Sequence, residues 1–238
     1  MSDDRTVAIV RYPSLGDAGE HCRVVGIDVI RATTTAVTAV NAGRRCFPVG
    51  SLEGAVPLAA RLDNPLLVGE LGGNMPYGFH LQNSPAEMDR RVDLDRPVIL
   101  LSSSGTPLLT AAAARARTYA ACLRNARAQA KMLIASTQHV VIVAGEHRGE
   151  FREEDRLCAA RIAAPLLEAG FEPRNALVEE IVKRWADAPD DALLQSNSIR
   201  YLTDTAQMHD VEFILGHIDD LDFVCEMRAG ELVVSDAS

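Results

Sequence analysis

A strand that runs directly into a polar helix start is the feature that most constrains this chain. Residues 24–35 begin with an apolar run, reach Asp28, and continue through Arg31 into three consecutive threonines. β-Branched residues bounded by a polar break predict a buried strand, and threonine hydroxyls can satisfy the free N–H groups of a helix's first turn. One interpretation is structural, with Asp28 paired to Arg31 beside a capped helix. The other is a ligand site, because a helix N-terminus that follows a strand attracts anions.

Strand-like and helix-like patterns alternate along the rest of the chain. Apolar runs predict strands at 6–11, 22–29, 45–49, 66–68, 97–101, 119–123 and 139–144, and a terminal hairpin of 223–225 with 232–234. Helical patterns occupy 32–41, 52–62, 108–116, 125–135, 152–169, 175–185 and 198–207, and Ser84-Pro85 indicates one more helix start. This alternation predicts an α/β fold with three α/β/α layers around a largely parallel or mixed sheet.

The sequence contains no linker-like segment and no internal repeat. We therefore expect residues 1–238 to form a single α/β unit. Two similar α/β halves are compatible with the pattern, and an internal division would then fall near 94–97 or 137. The segment 69–82 has neither helical nor strand periodicity and contains four glycines, which is typical of a functional or mobile loop.

Composition narrows the environment and the partners of the protein. The 238 residues carry a net charge of −9, and only 5% of them are aromatic, which argues against binding to nucleic acid or to an anionic membrane. The five cysteines are scattered and mostly apolar in context, as in a reduced cytoplasmic protein. No apolar run approaches the length of a membrane span, and the N-terminus lacks the apolar region of a signal peptide. The Ala-rich, low-aromatic composition is compatible with a homodimer.

Several phosphate-handling motifs are absent from the sequence. There is no Gly-x-x-x-x-Gly-Lys loop, and no Gly-x-Gly-x-x-Gly follows a predicted strand. No cysteine is followed six positions later by arginine, and Asp28 does not begin an Asp-x-Asp strand end. The six histidines, His147 among them, are dispersed and are expected on the surface or in loops rather than as metal ligands.

Four polar segments each follow a predicted strand, at 28–35, 69–73 leading to 83–85, 102–106 and 145–155. Loops at the carboxyl ends of neighbouring parallel strands converge on one crevice. Such a crevice would combine three kinds of group. Acids at Asp28, Glu70, Glu154 and Asp155 suit a hard cation such as Mg²⁺, Arg31 suits an oxyanion, and hydroxyls with open backbone N–H groups suit phosphate oxygens.

Taken together, these segments resemble a known family. The run Ile-Asp-Val-Ile-Arg-Ala-Thr-Thr-Thr at 27–35, Gly-Glu-Leu-Gly-Gly at 69–73, Gly78-Phe79 and Asn83-Ser84-Pro85 resembles the 2-phosphosulfolactate phosphatase family of coenzyme M biosynthesis. Ser104-Gly105-Thr106 and the stretch 151–159 fit the same pattern in the same order, and 196–211 fits it more loosely. The resemblance spans about residues 24 to 225.

The resemblance implies a Mg²⁺-dependent phosphatase that hydrolyses a small anionic phosphate monoester, 2-phosphosulfolactate, to sulfolactate and phosphate. It implies catalytic roles for Asp28, Arg31, Asn83, Ser84 and Asp155. It also places Glu70, Gly105 and Thr106 in the site. Our hypothesis for this site assigns phosphate binding to Arg31, Thr33, Thr34, Ser103, Ser104, Gly105 and Thr106, and metal binding to carboxylates drawn from Asp28, Glu70 and Asp155. The residue that activates the attacking water stays open, and so does a covalent phosphoenzyme at Asp28.

Two positions depart from the family pattern. Gln82 stands where the family has glycine before Asn-Ser-Pro, and Ser104 stands where it has asparagine before Gly-Thr. Two alternatives to the implied function therefore remain. One is a phosphatase acting on another phosphorylated small acid, and the other is a non-catalytic relative that binds an anionic metabolite.

Overall fold

Ten strands form one mixed sheet in the computed structural model, which describes residues 5–146 and 149–235. The strands are β1 Thr6–Arg11, β2 Arg23–Ile27, β3 Cys46–Val49, β4 Leu66–Gly69, β5 Val98–Leu101, β6 Arg117–Ala121, β7 His139–Ala144, β8 Glu172–Pro173, β9 Val224–Arg228 and β10 Glu231–Ser235. The helices are α1 Ala32–Asn41, α2 Leu52–Ala59, α3 Pro85–Arg90, α4 Gly105–Ala113, α5 Ala126–Ser136, α6 Glu153–Glu168, α7 Ala176–Trp185, α8 Asn197–Asp204 and α9 Met208–Gly216, with a 3₁₀ helix at Asp190–Gln195.

The sheet consists of two parallel groups joined by an antiparallel hairpin. The strand order is β4-β5-β3-β10-β9-β6-β2-β7-β1-β8. Strands β4, β5 and β3 pair in parallel, as do β6, β2, β7, β1 and β8. The β9–β10 hairpin lies between these groups and pairs antiparallel with β3 on one side and β6 on the other. The predicted α/β fold with a mixed sheet is therefore confirmed.

The hairpin reverses the direction of one parallel group relative to the other. The expectation that the site loops follow neighbouring strands of one parallel set therefore holds only within each group, for β2 beside β7 and for β4 beside β5. The carboxyl ends of β2 and β5 nevertheless meet, since the side chain of Ser104 hydrogen-bonds to that of Asp28. Val24 of β2 and Leu100 of β5 also belong to the same hydrophobic core.

Helices cover both faces of the sheet, because side chains alternate between its faces along each strand. Val24 of β2 packs in a core with α1, α3 and α4, whereas its neighbour Val25 packs with α5, α6 and α7 on the opposite face. Helix α2 covers the opposite face of β3 and β5 through Ala55. The predicted α/β/α layering follows from this alternation.

Several elements differ from the sequence-based expectation. Strand β8 and the 3₁₀ helix were not predicted, and β6 lies at Arg117–Ala121 rather than at 119–123. Helix α4 begins at Gly105, three residues before the predicted start, because the turn after β5 is itself the first turn of the helix. The predicted helix at 198–207 ends at Asp204, because Ala206 adopts a φ of 57°, and it is followed by α9 from Met208, which the sequence pattern did not predict. The predicted terminal hairpin and its turn at Ala229-Gly230 are present.

None of the described helices is long and apolar enough to cross a membrane. The single-unit organisation stays a prediction. Both of the segments proposed for an internal division, 94–97 and 137, lie between strands of the same ten-stranded sheet.

Gly69 at the end of β4 is expected to be sensitive to a single methyl group. Its φ of +149° disfavours an L side chain, and an added Cβ would lie 2.0 Å from the carbonyl oxygen of Leu101. We expect Gly69→Ala to lower the free energy of unfolding by about 3 kcal/mol or more, measured by urea denaturation. Gly43 is the matched control, because its φ is also positive, at +80°, but an added Cβ has open space. Gly43→Ala should cost only about 1 kcal/mol, and equal losses would contradict the steric argument.

Candidate active site

The carboxylate of Asp28 lies where the N-termini of two helices meet. Its Oδ1 accepts a hydrogen bond from the backbone N–H of Ala32 at 3.2 Å, at the start of α1. Its Oδ2 accepts one from the Ser104 hydroxyl at 2.7 Å, at the start of α4. An added Cβ on Gly105 would lie 2.6 Å from Asp28 Oδ2 and 2.6 Å from the Ala32 Cβ. Glycine at 105 therefore allows α4 to approach this buried carboxylate.

The threonines of α1 hold the end of strand β2 rather than the helix N–H groups. Thr33 Oγ1 donates to the carbonyl oxygen of Asp28 at 2.8 Å and accepts from its N–H at 3.1 Å. Thr34 Oγ1 donates to the carbonyl oxygen of Val29 at 2.7 Å. The prediction that threonine hydroxyls cap the first turn is wrong, because the turn between strand and helix places strand-end carbonyls closer to them. Asp28 Oδ1 accepts from the first helical N–H instead.

Arg31 does not pair with Asp28, so the plain structural interpretation of this stretch is wrong. Its Nη1 donates to Asp210 Oδ2 at 2.6 Å and to Gln207 Oε1 at 2.6 Å. The other oxygen of the fully buried Asp210 accepts from the Ser84 hydroxyl at 2.6 Å and from the Ala86 N–H at 3.1 Å. Asp210 therefore ties Arg31 to the start of α3.

Ser84 is the N-cap of α3, as predicted, since its Oγ accepts from the backbone N–H of Glu87. Its hydroxyl proton goes to Asp210, so the side chain is engaged on both sides. The preceding Asn83 is buried and faces the cavity described below, and its Oδ1 has no hydrogen-bond partner among the described residues.

Glu70 joins two of the polar loops. Its Oε1 accepts from the Ser103 N–H at 2.7 Å, and its Oε2 accepts from the Gly73 N–H at 2.7 Å and from the Ser103 hydroxyl at 3.0 Å. The Tyr201 hydroxyl of α8 donates to the Gly73 carbonyl oxygen at 2.9 Å. Thr106, another residue of the predicted site, closes its own turn, since its Oγ1 accepts from the Ser102 N–H at 2.8 Å.

These loops enclose a cavity of about 410 Å³, a volume suited to a small ligand. Seven of the predicted site residues line it: Asp28, Arg31, Glu70, Asn83, Ser103, Ser104 and Asp155. Five others support these from outside the lining: Thr33, Thr34, Ser84, Gly105 and Thr106. The remaining lining residues are Ile30, Gly72, Gly73, Gly145, Glu146, Glu150, Arg152, Glu154, Asn197, Ser198, Tyr201 and Leu202. His147 and Arg148, in the fourth predicted loop, lie outside the described residues.

Acids dominate the described lining of the cavity, which includes six carboxylate side chains and two guanidinium groups. Burial raises the pKa of Asp28, and it raises the pKa of Glu154 to about 7. The pKa of Asp155 is raised well above its usual range by burial and by the neighbouring charges of Glu154 and Asp28. Asp155 is held in place by the Val29 N–H, which donates to its Oδ1 at 2.7 Å.

Comparison with known proteins identifies the family. A sequence model of the 2-phosphosulpholactate phosphatase family matches residues 13–230. The chain belongs to this family. A probable 2-phosphosulfolactate phosphatase from Carboxydothermus hydrogenoformans is 31% identical over 232 residues, 96% of each chain. A protein of the same description from Pseudothermotoga lettingae is 38% identical over 148 residues, which are 62% of this chain and 63% of the relative. Another from Symbiobacterium thermophilum is 32% identical over 214 residues, which are 86% of this chain and 91% of the relative.

The resemblance inferred from the sequence is thereby confirmed, and the chain is a phosphatase, a phosphoric monoester hydrolase. Sequence reasoning for this phosphatase missed two residues that organise the site. Asp210 fell in the loosely matching segment 196–211, and Arg152 was considered only as a helix start. The partners of Asp210, Arg31 and Ser84, come from distant parts of the chain. Arg152 pairs with the nearby Glu150, but no sequence motif places that pair beside the cavity.

The acidic lining of the phosphatase site can hold a divalent cation through a few protein ligands. No group of three acidic, histidine or cysteine side chains in the described part of the chain converges closely enough to form a metal cage. Asp28 and Asp155 nevertheless share the cavity, and Glu154 Oε2 is buried without a hydrogen-bond partner there. Mg²⁺ commonly binds through one or two carboxylates, with water and substrate phosphate completing its shell. The residues fit that mode of binding and not an all-protein cage.

Removing the charge of Asp210 should destabilise the fold strongly. Asp210→Asn leaves the buried Arg31 guanidinium without its counter-ion, so we expect a loss of about 3–5 kcal/mol in the free energy of unfolding. The control is Glu231→Gln at the ion pair with Arg45, whose side chain is 60% exposed, where the loss should stay below about 1 kcal/mol. Both are measured by urea denaturation. Similar small losses in the two variants would contradict the anchoring role of Asp210.

Stability of the metal-free protein should fall as pH rises through the titration of Glu154. The pKa of this group is about 7 in the folded state against an ordinary value of 4.5, so the folded state retains the proton between these values. Between pH 4.5 and pH 8 the free energy of unfolding of the wild type should therefore fall by about 3 kcal/mol more than that of Glu154→Gln. The measurement is urea denaturation of both proteins from pH 4.5 to pH 8 in the presence of a chelator. Parallel curves for the two proteins would contradict the raised pKa.

Proposed function

We propose that this protein is a Mg²⁺-dependent phosphatase that hydrolyses 2-phosphosulfolactate to sulfolactate and phosphate. The observation that carries the proposal is the presence of Asp28 and Arg31 in one cavity of a chain that belongs to this family. The relatives described above carry the name of this reaction.

The charge of the cavity supports the requirement for a cation. A substrate with three anionic groups would enter a space whose described lining has six carboxylates against two guanidinium groups. Such a substrate is repelled unless a cation reverses the local field. We assign the ion to Asp28 and Asp155, because each of their oxygens accepts at most one of the hydrogen bonds described above. Glu70 accepts three hydrogen bonds, which hold two loops together. Mg²⁺ bound there would neutralise phosphate charge that develops during the transfer.

Arg31 is suited to bind the phosphoryl group. Its hydrogen bonds to described residues all come from Nη1, so Nε and Nη2 remain available to an oxyanion. Two acceptors, on Asp210 and Gln207, fix the guanidinium before substrate arrives. A donor that is already oriented stabilises charge in the transition state without paying a reorganisation cost.

Asp28 is suited to direct chemistry at the phosphorus atom. Hydrogen bonds from Ala32 and Ser104 hold both of its oxygens, so the carboxylate keeps one orientation. Two routes use this orientation. In one, a water molecule held between the carboxylates attacks phosphorus, and the alcohol leaves with a proton. In the other, Asp28 attacks phosphorus, the ester P–O bond breaks, and the leaving alkoxide takes a proton from an acid of the cavity such as Asp155, whose pKa is raised. Water then hydrolyses the acyl phosphate, which releases phosphate and restores the Asp28 carboxylate.

The two departures from the family pattern keep contacts within the site. Ser104, in place of asparagine, donates to Asp28. Gln82, in place of glycine, donates through Nε2 to the Gly73 carbonyl oxygen at 3.1 Å. Both substituted side chains therefore make hydrogen bonds to residues of the site.

The decisive experiment measures hydrolysis of 2-phosphosulfolactate with and without Mg²⁺. The rate is measured as the release of inorganic phosphate. We expect Mg²⁺ to stimulate turnover, a chelator to abolish it, and Asp28→Asn to lower kcat by at least about 100-fold. Asp95→Asn is the control, because Asp95 is exposed and lies outside the cavity lining. Equal activity in Asp28→Asn and wild type would remove Asp28 from the chemistry.

The same assay tests the two alternatives. Turnover of other phosphorylated small acids in preference to 2-phosphosulfolactate would indicate a different substrate. Binding without hydrolysis of any ester would indicate a non-catalytic relative. A cytoplasmic location, a part in coenzyme M biosynthesis, a homodimeric state and the lack of nucleic-acid binding stay predictions.

A further inference from the structure

Arg152 is a second guanidinium in the cavity, on a different wall from Arg31. It immediately precedes α6, whereas Arg31 is anchored to the segment that begins α9. The Arg152 side chain is only 14% exposed, and its Nε and Nη1 are both buried without a hydrogen-bond partner among the described residues. A buried guanidinium N–H without an acceptor is costly. Because Arg152 lines the cavity, an anion bound there would supply the missing acceptor.

The acidic side chain of Glu150 lies beside the Arg152 guanidinium, where an anionic ligand would bind. Glu150 Oε2 lies 2.6 Å from Arg152 Nη1 and accepts a hydrogen bond from Asn197 Nδ2 at 3.1 Å. The Glu150 side chain is 52% exposed, so it can turn into solvent without a large loss of packing. One carboxylate oxygen that contacts both a guanidinium and an amide is in the arrangement that an oxygen of a bound anion would take.

We propose that Arg152 and Asn197 form a second-anion subsite that binds the anionic group of the substrate other than its phosphate, and that Glu150 occupies this subsite until substrate displaces it. This inference rests on the proposed function. It assigns the two guanidiniums separate tasks. Arg31 binds the phosphoryl group that is transferred. Arg152 binds a sulfonate or carboxylate elsewhere on the same ester and so favours esters that carry such a group.

Four phosphate esters that differ only in these two groups show whether the subsite binds the sulfonate or the carboxylate. 2-Phosphosulfolactate carries both, 2-phospholactate carries the carboxylate, 2-(phosphooxy)ethanesulfonate carries the sulfonate, and ethyl phosphate carries neither. The measured quantity is the ratio of kcat/KM for each anionic ester to kcat/KM for ethyl phosphate. The ester whose ratio depends on Arg152 identifies the group that the subsite binds.

We expect Arg152→Gln to lower this ratio by roughly 10- to 100-fold for 2-phosphosulfolactate, because a charge-assisted hydrogen bond is lost. Glu150→Gln should instead lower KM for the same ester by roughly 2- to 5-fold, because a competing anion is removed. Arg156→Gln is the matched control, since Arg156 lies on the same helix, also has a buried Nε without a partner, and is outside the cavity lining. The control should leave the ratio unchanged.

The proposal is overturned if Arg152→Gln lowers kcat/KM for all four esters by the same factor, or changes none of them. Circular dichroism and the thermal midpoint of each variant exclude misfolding as the cause. Titration calorimetry with sulfolactate, which has no phosphate, measures binding to the subsite in the absence of turnover. If wild type hydrolyses none of the esters, the proposed function fails, and sulfolactate binding that is lost in Arg152→Gln still supports the subsite. Equal sulfolactate binding in wild type and Arg152→Gln contradicts it.

Discussion

The buried carboxylate of Asp28 is the group around which the two halves of the sheet are joined. Burying a charge is costly unless hydrogen-bond donors replace water. Here the donors come from the starts of two helices that follow strands of opposite parallel groups, through Ala32 on one side and Ser104 on the other. Because Gly105 has no side chain, the second helix reaches the carboxylate. The hydrogen bonds of this one carboxylate therefore require the starts of α1 and α4, which are far apart in the sequence, to lie next to each other.

A second buried charge gives the site its rigidity. Asp210 accepts hydrogen bonds from Arg31, Ser84 and the Ala86 backbone. Burial of an ion pair contributes little net stability when both partners must be desolvated. Its value lies in geometry, because Arg31 is fixed to the start of α3 before any ligand is bound. A guanidinium oriented in advance binds an oxyanion at a lower entropic cost.

The remaining acids leave the cavity with an excess of negative charge. Burial raises the pKa of Asp28, Glu154 and Asp155, and the proximity of like charges adds to this effect at Asp155. A folded state with such a cluster is less stable at neutral pH than it would be with a counter-ion present. Any cation or cation–phosphate pair that binds only the folded protein is therefore expected to stabilise it. Ligand binding and stability are coupled through the same three carboxylates.

The sequence by itself determined the local elements and the residues that surround the chemistry. The alternation of strands and helices, the Ser84 cap of α3 and the placement of polar loops after strands all follow from short-range pattern, and they are present in the structure. Asp28, Arg31 and Asp155 were identified from motifs within single segments, and all three line one cavity.

Only the tertiary structure decided which groups contact one another. Val29 binds Asp155 across 126 positions, and Arg31 binds Asp210 across 179. These separations depend on the strand order and on the hairpin that reverses half of the sheet, which no local pattern encodes. For the same reason the threonines of α1 were assigned to the wrong hydrogen bonds. A hydroxyl can bind either a helix N–H or a strand-end carbonyl, and the choice depends on which of them the folded chain brings within reach.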